Sequence, residues 1–118
     1  MSRGRDFARQ ALARWHLLAP RPGLVVDHLA GDALLVVSEL LANACLHGYG
    51  PRELVLEHRL EYLCIAVADH SPTPPHHRTG ERGRPDGLGL LVLDRLTTDW
   101  GVAPDDDGKI VWALLGTH

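Results

Sequence analysis

Apolar positions along the chain change period twice. In "RDFARQALARWHLLAPRPG", Phe7, Ala11, Leu12, Trp15 and Leu18 recur at spacings of three and four, which is one face of an amphipathic helix. Pro20, Pro22 and Gly23 end that run. A longer helical run extends from about Leu24 to His47 and carries Val26, Leu29, Ala33, Val36, Val37, Leu40, Leu41 and Ala44. It is apolar on most sides, which predicts a largely buried helix. Gly31 and Asp32 mark a point where it is expected to break, with Asp32 capping the second part. Gly48, Gly50 and Pro51 predict its stop.

The period then falls to two. Leu54, Leu56, His58 and Leu60 alternate with Glu53, Val55, Glu57 and Arg59, as in a strand with one wet face. The following "LCIAVAD" is almost continuously apolar, so it predicts the second strand of a hairpin, central in a sheet covered on both faces. From His70 to Asp86 no period survives, and Pro, His, Arg, Thr and Gly dominate. Loops beyond about 12 to 15 residues in a compact domain tend to be lids or binding segments, or else disordered. A third helix is expected from near Gly87, with Leu88, Leu91, Val92 and Leu96, and "DWGVA" and "KIVWALL" predict two strands around the turn "PDDDG". The order helix, helix, strand, strand, helix, strand, strand predicts an α/β two-layer sandwich: about three helices on one face of a mixed, mainly antiparallel sheet.

Composition narrows the setting. A chain of 118 residues is expected to form one domain spanning 1–118. Hydrophobic residues are 45% and charged residues 23%, a globular balance, and no segment approaches the roughly 18 uninterrupted apolar residues of a membrane span. "MSRGRDFARQ" has no apolar stretch after its charges and does not read as a secretory signal, so a cytoplasmic location is expected. Cys45 and Cys64 sit among apolar residues and are expected to be buried, reduced thiols. Arg3, Arg5, Arg9 and Arg14 cluster near the start, but the net charge of −3 lacks the basic excess that drives phosphate-backbone binding. Direct nucleic-acid binding is not expected.

The stretch "VSELLANACLHGYG" places Glu39 and Asn43 inside a run otherwise fit for a core. Four residues apart on a helix, they share one face and can share a ligand. Asp69 closes the apolar strand where the long loop begins, at the sheet edge. Gly87 and Gly89 bracket the start of the third helix, leaving its first N–H groups open to an anion. Each piece also has a plain structural reading: a solvated helix stripe, an Asp capping its own loop, a glycine turn into a helix. Together they predict a ligand site.

The three segments that carry this pattern also carry a resemblance. "ELLANACLHGYG", "DHSPTPP" and "DGLGL" resemble, in order and spacing, the N-box and the two glycine boxes of the ATP-binding domain shared by histidine kinases, gyrase-type topoisomerases and heat-shock chaperones. The chain is most similar to the small anti-sigma-factor serine/threonine kinases, over Asp6 to Leu115. The resemblance implies a Bergerat-type ATP-binding fold, with ATP and Mg2+ as cofactors. It implies Glu39 as catalytic base, Asn43 as the magnesium and phosphate contact, and Asp69 as the adenine contact, with Ser71 beside it in the first box. Gly87, Leu88 and Gly89 would flank the triphosphate, under a lid at about 70–86. Implied partners are a sigma factor, an anti-anti-sigma protein, or both.

Elementary chemistry agrees: an ionised Asp is acceptor-only and suits adenine's exocyclic amine, while magnesium takes oxygen ligands and keeps several waters. The chain departs from the family pattern in three ways. Ser71 and Pro74 or Pro75 replace the usual glycines of the first box, and the lid has no evident phosphate-gripping lysine, a role left open to Arg78, Arg82 or Arg84. The chain also begins almost at its first helix, where relatives have a strand, so a sheet edge is left open to another chain, a homodimer partner included. The alternative from another class is a nucleotide-binding interaction module that sequesters a partner without phosphotransfer. A metal site at His70, His76 and His77 is less favoured, because the adjacent pair lacks regular ligand spacing and no Cys accompanies it.

Overall fold

The computed structural model describes residues 2–15, 28–71, 88–105 and 107–117. Among these, helices α1 (Ser2–Arg14), α2 (Leu29–His47) and α3 (Leu88–Leu96) combine with strands β1 (Pro51–His58), β2 (Tyr62–Asp69), β3 (Asp99–Asp105) and β4 (Gly108–Gly116) in the expected order. The four strands form one antiparallel sheet in the order β1-β2-β4-β3. This is the two-layer α+β arrangement that the pattern predicts. The apolar run before Leu29, and most of the expected lid, lie outside the described residues.

One face of the sheet carries the core. Leu63, Ile65 and Val67 of β2, Val111, Ala113 and Leu115 of β4, and Trp100 of β3 are buried against Ala8 and Leu12 of α1, Leu93 of α3, and a stripe of α2 from Leu29 through Ala44. Leu54 and Leu56 of β1 pack against this cluster. The intervening Cys64, Ala66, Ile110, Trp112 and Leu114 are only half-buried, so β2 is central but covered by helices on one face, contrary to the two-sided expectation. On α1 the buried stripe is Ala8, Ala11 and Leu12, while Phe7 is 49% exposed. Small residues there let the helices close: a Cβ on Gly4 would stand 2.5 Å from Leu41 Cδ1.

Three local expectations need correction. α2 begins at Leu29 and runs unbroken through Gly31 and Asp32, and its N-cap His28 makes no side-chain capping bond. Gly31 is exposed, with no atom of the described residues within 4 Å of a Cβ placed there, so its helical penalty of about 1 kcal/mol is offset by burial of Leu29, Ala33 and Leu34 around it. β1 ends at His58, and Leu60 is a 94% exposed turn residue. β3 and β4 reach further than expected, pairing Asp105 with Gly108, so "PDDDG" supplies strand ends as well as a turn. By length and composition α2 is also apolar enough to cross a membrane. Here its apolar residues form the domain's core instead.

Candidate functional site

Side chains alternate along β2, so the inward row Leu63, Ile65, Val67 continues to Asp69. On β4 the inward row Leu115, Ala113, Val111 continues to Lys109. The register pairs Leu63 with Leu115, Ile65 with Ala113 and Val67 with Val111, which brings Asp69 opposite Lys109. The core face of both central strands thus ends in a charge, and the two charges meet: Lys109 Nζ donates to Asp69 Oδ2 at 2.6 Å. Asp69 is 1% exposed and Lys109 7%.

The other two oxygens of Asp69 are also held. Its Oδ1 accepts the backbone N–H of buried Ser71 at 2.9 Å, the turn that an Asp makes with its own loop. Its carbonyl accepts Arg52 Nε at 3.1 Å. Arg52 sits at an irregularity in the β1–β2 register between Pro51 and Glu53, and its guanidinium also pairs with Asp105 at the far edge of the sheet. That hydrogen bond to Asp105 raises the Arg52 pKa further above its ordinary value. The next residue, His70, donates its N–H to Gly48 O at 2.9 Å, tying the end of β2 to the end of α2.

Two glycines make this closure possible. A Cβ on Gly48 would lie 2.2 Å from Asp69 Oδ2, and one on Gly108 would lie 2.0 Å from the Asp69 carbonyl oxygen. Gly48 itself is not left-handed; the left-handed residues are Tyr49 (φ 60°) and Gly50 (φ 97°). The N–H groups of Gly48 and Gly50 both donate to Ala44 O, so this turn satisfies the last carbonyls of α2 while steering the chain into β1.

Glu39 and Asn43 stand one turn apart on α2, both half-buried. Among the described residues neither has a hydrogen-bond or ion-pair partner, which leaves a carboxylate and an amide oxygen for a ligand. Leu88 and Gly89 open α3, whose first turn carries no acidic residue, a setting that favours an anion. Gly87, the arginines at 78, 82 and 84, and the histidines at 76 and 77 lie outside the described residues. No group of three or more His, Cys, Asp or Glu side chains suited to a metal occurs among the described residues.

Neither cysteine forms a disulfide, as expected, but Cys45 is exposed rather than buried. Cys64 is half-buried, and desolvation pushes its thiol pKa up. Lys109 and Gly108 are the site residues that the sequence reading missed.

A family model described as the histidine kinase-like ATPase domain matches residues 3–115, from the second residue of α1 to the penultimate residue of β4. The chain belongs to that family. No match is found among curated proteins. Membership supports ATP binding, and this ATPase domain has features suited to a nucleotide. A carboxylate has about four lone-pair sites, so Asp69 keeps acceptor capacity beyond its bonds to Ser71 and Lys109. The oxygens of Asn43 and Glu39 are the hard donors that magnesium takes.

Proposed function

We propose that this chain is a magnesium-ATP-binding regulatory protein of the anti-sigma-factor type, a cytoplasmic serine/threonine kinase acting on an anti-anti-sigma partner. The observation that carries the reading is the immobilised carboxylate of Asp69 at the C-terminal end of α2, the helix that bears Glu39 and Asn43, which have no hydrogen-bond or ion-pair partner among the described residues. Asp69 accepts the exocyclic amine of adenine and disfavours guanine, which presents a carbonyl there. Asn43 would contribute an oxygen ligand to magnesium, and the first N–H groups of α3, at Leu88 and Gly89, would offer donors to phosphate. Magnesium, when bound, neutralises charge on the transferring phosphate. Glu39, one turn before Asn43, orients or deprotonates the acceptor hydroxyl.

Phosphate transfer from labelled ATP to a purified anti-anti-sigma protein tests this. Glu39→Gln keeps size and polarity, and losing a general base typically costs roughly 10²- to 10⁴-fold in rate. Its nucleotide affinity should stay near wild type, whereas Asn43→Ala should weaken magnesium-ATP binding directly. Equal transfer rates for wild type and Glu39→Gln would remove Glu39 from the chemistry. A partner that binds tightly and is never phosphorylated would make this chain an interaction module.

A further inference from the structure

A lysine on the core face of a central strand is out of place unless something uses it. Lys109 is 7% exposed, and among the described residues its ammonium has one hydrogen-bond partner, Asp69 Oδ2. An ammonium carries three donors. Two N–H groups therefore remain beside a carboxylate that itself retains acceptor sites. The pair sits where β2 and β4 leave the core under the end of α2, and there the absent Cβ atoms of Gly48 and Gly108 let backbone close around Asp69.

We propose that Lys109 is a base-reading residue: it donates to an adenine ring nitrogen next to the exocyclic amine that Asp69 accepts. This inference rests on the nucleotide reading above and goes beyond it. An acceptor and a donor held side by side complement an edge that presents a donor and an acceptor side by side. Adenine offers that edge twice, as its amine with N7 and as its amine with N1. The 2.6 Å separation of Asp69 Oδ2 and Lys109 Nζ is close to the spacing of such neighbouring base atoms. The ion pair fixes the two groups relative to each other before any ligand arrives, so their ordering is not charged against binding. A buried ion pair by itself is weak evidence of stabilisation, since well-packed apolar residues often do as well. Base reading gives the buried charge a use.

The test varies the base and the lysine together. Wild-type protein with magnesium is titrated with ATP, with 1-deaza-ATP and with 7-deaza-ATP, in which one ring nitrogen becomes C–H. At least one analogue should bind about 10- to 100-fold more weakly than ATP. In Lys109→Met, ATP should weaken to the level of that analogue, and the analogue should weaken no further. Should Lys109→Met fail to fold with Asp69 left as an unpaired buried charge, Asp69→Asn combined with Lys109→Met removes both charges and must likewise abolish discrimination between ATP and the analogue. Equal binding of all three nucleotides by wild type, or discrimination that survives in the lysine variant, would overturn the assignment while leaving nucleotide binding intact. Failure of wild type to bind any of the three would instead overturn the nucleotide reading itself.

Discussion

Replacing Gly48 with Ala adds one methyl group where the structure has a carboxylate. The new Cβ would stand 2.2 Å from Asp69 Oδ2, 2.4 Å from its Cγ and 2.7 Å from its Cβ, so something must move. The Asp69 side chain cannot rotate aside without losing Lys109 at 2.6 Å and the Ser71 N–H at 2.9 Å. Overpacking a tight site typically costs about 1–3 kcal/mol, and complete loss of one partner from a buried ion pair costs about 3–5 kcal/mol. Partial displacement of Asp69 therefore predicts a loss of about 2–4 kcal/mol. Backbone preference works the other way: at φ −120° an alanine is unstrained, and Gly→Ala at a compatible site ordinarily stabilises by about 0.4–1 kcal/mol. Gly31 in the same helix is the control, because it is exposed with nothing within 4 Å. Gly31→Ala should raise the melting temperature by a few degrees, and Gly48→Ala should lower it by roughly 10 °C. Thermal melts followed by circular dichroism read both. If Gly48→Ala melts at or above wild type, the Asp69 carboxylate is not where the closure argument puts it.

Two further outcomes follow from local contacts. Iodoacetamide at neutral pH should label exposed Cys45 well before Cys64, whose thiolate is disfavoured by burial, and raising the pH should bring Cys64 labelling up; mass spectrometry of timed samples that finds Cys64 labelled first would contradict this. Trp100 Nε1 donates to Asp94 at 2.7 Å, joining β3 to α3, so Trp100→Phe should cost about 1–3 kcal/mol in denaturant unfolding, and an unchanged midpoint would show that the bond is dispensable.

Much of this architecture is legible in the residues because long periods are hard to disguise. The hairpin shows itself in the alternation around Leu54 and Leu56, and Asp69 stands out as the charge that ends an apolar run. Lys109 was hidden for a related reason. In "KIVWALL" both phases of the strand are apolar, Val111, Ala113 and Leu115 inward and Ile110, Trp112 and Leu114 on the other face, so no pattern reveals that position 109 points into the core. The same ambiguity concealed the solvent side of α2: a helix apolar on most faces does not disclose that Cys45 and Leu46 are exposed. Gly31 reads as a helix breaker by local propensity alone, which the burial around it overrides. Gly48 was legible as a helix stop, but its close approach to Asp69 is a tertiary fact with no local signature.

The measurement that bears most directly on the whole account is a calorimetric titration of the purified chain with magnesium-ATP, repeated with magnesium-GTP. Saturable heat with ATP, displaced by ADP and much weaker with GTP, is the predicted result, because Asp69 offers an acceptor to an amine and not to a carbonyl. The absence of both heat and a thermal shift at millimolar ATP would contradict it.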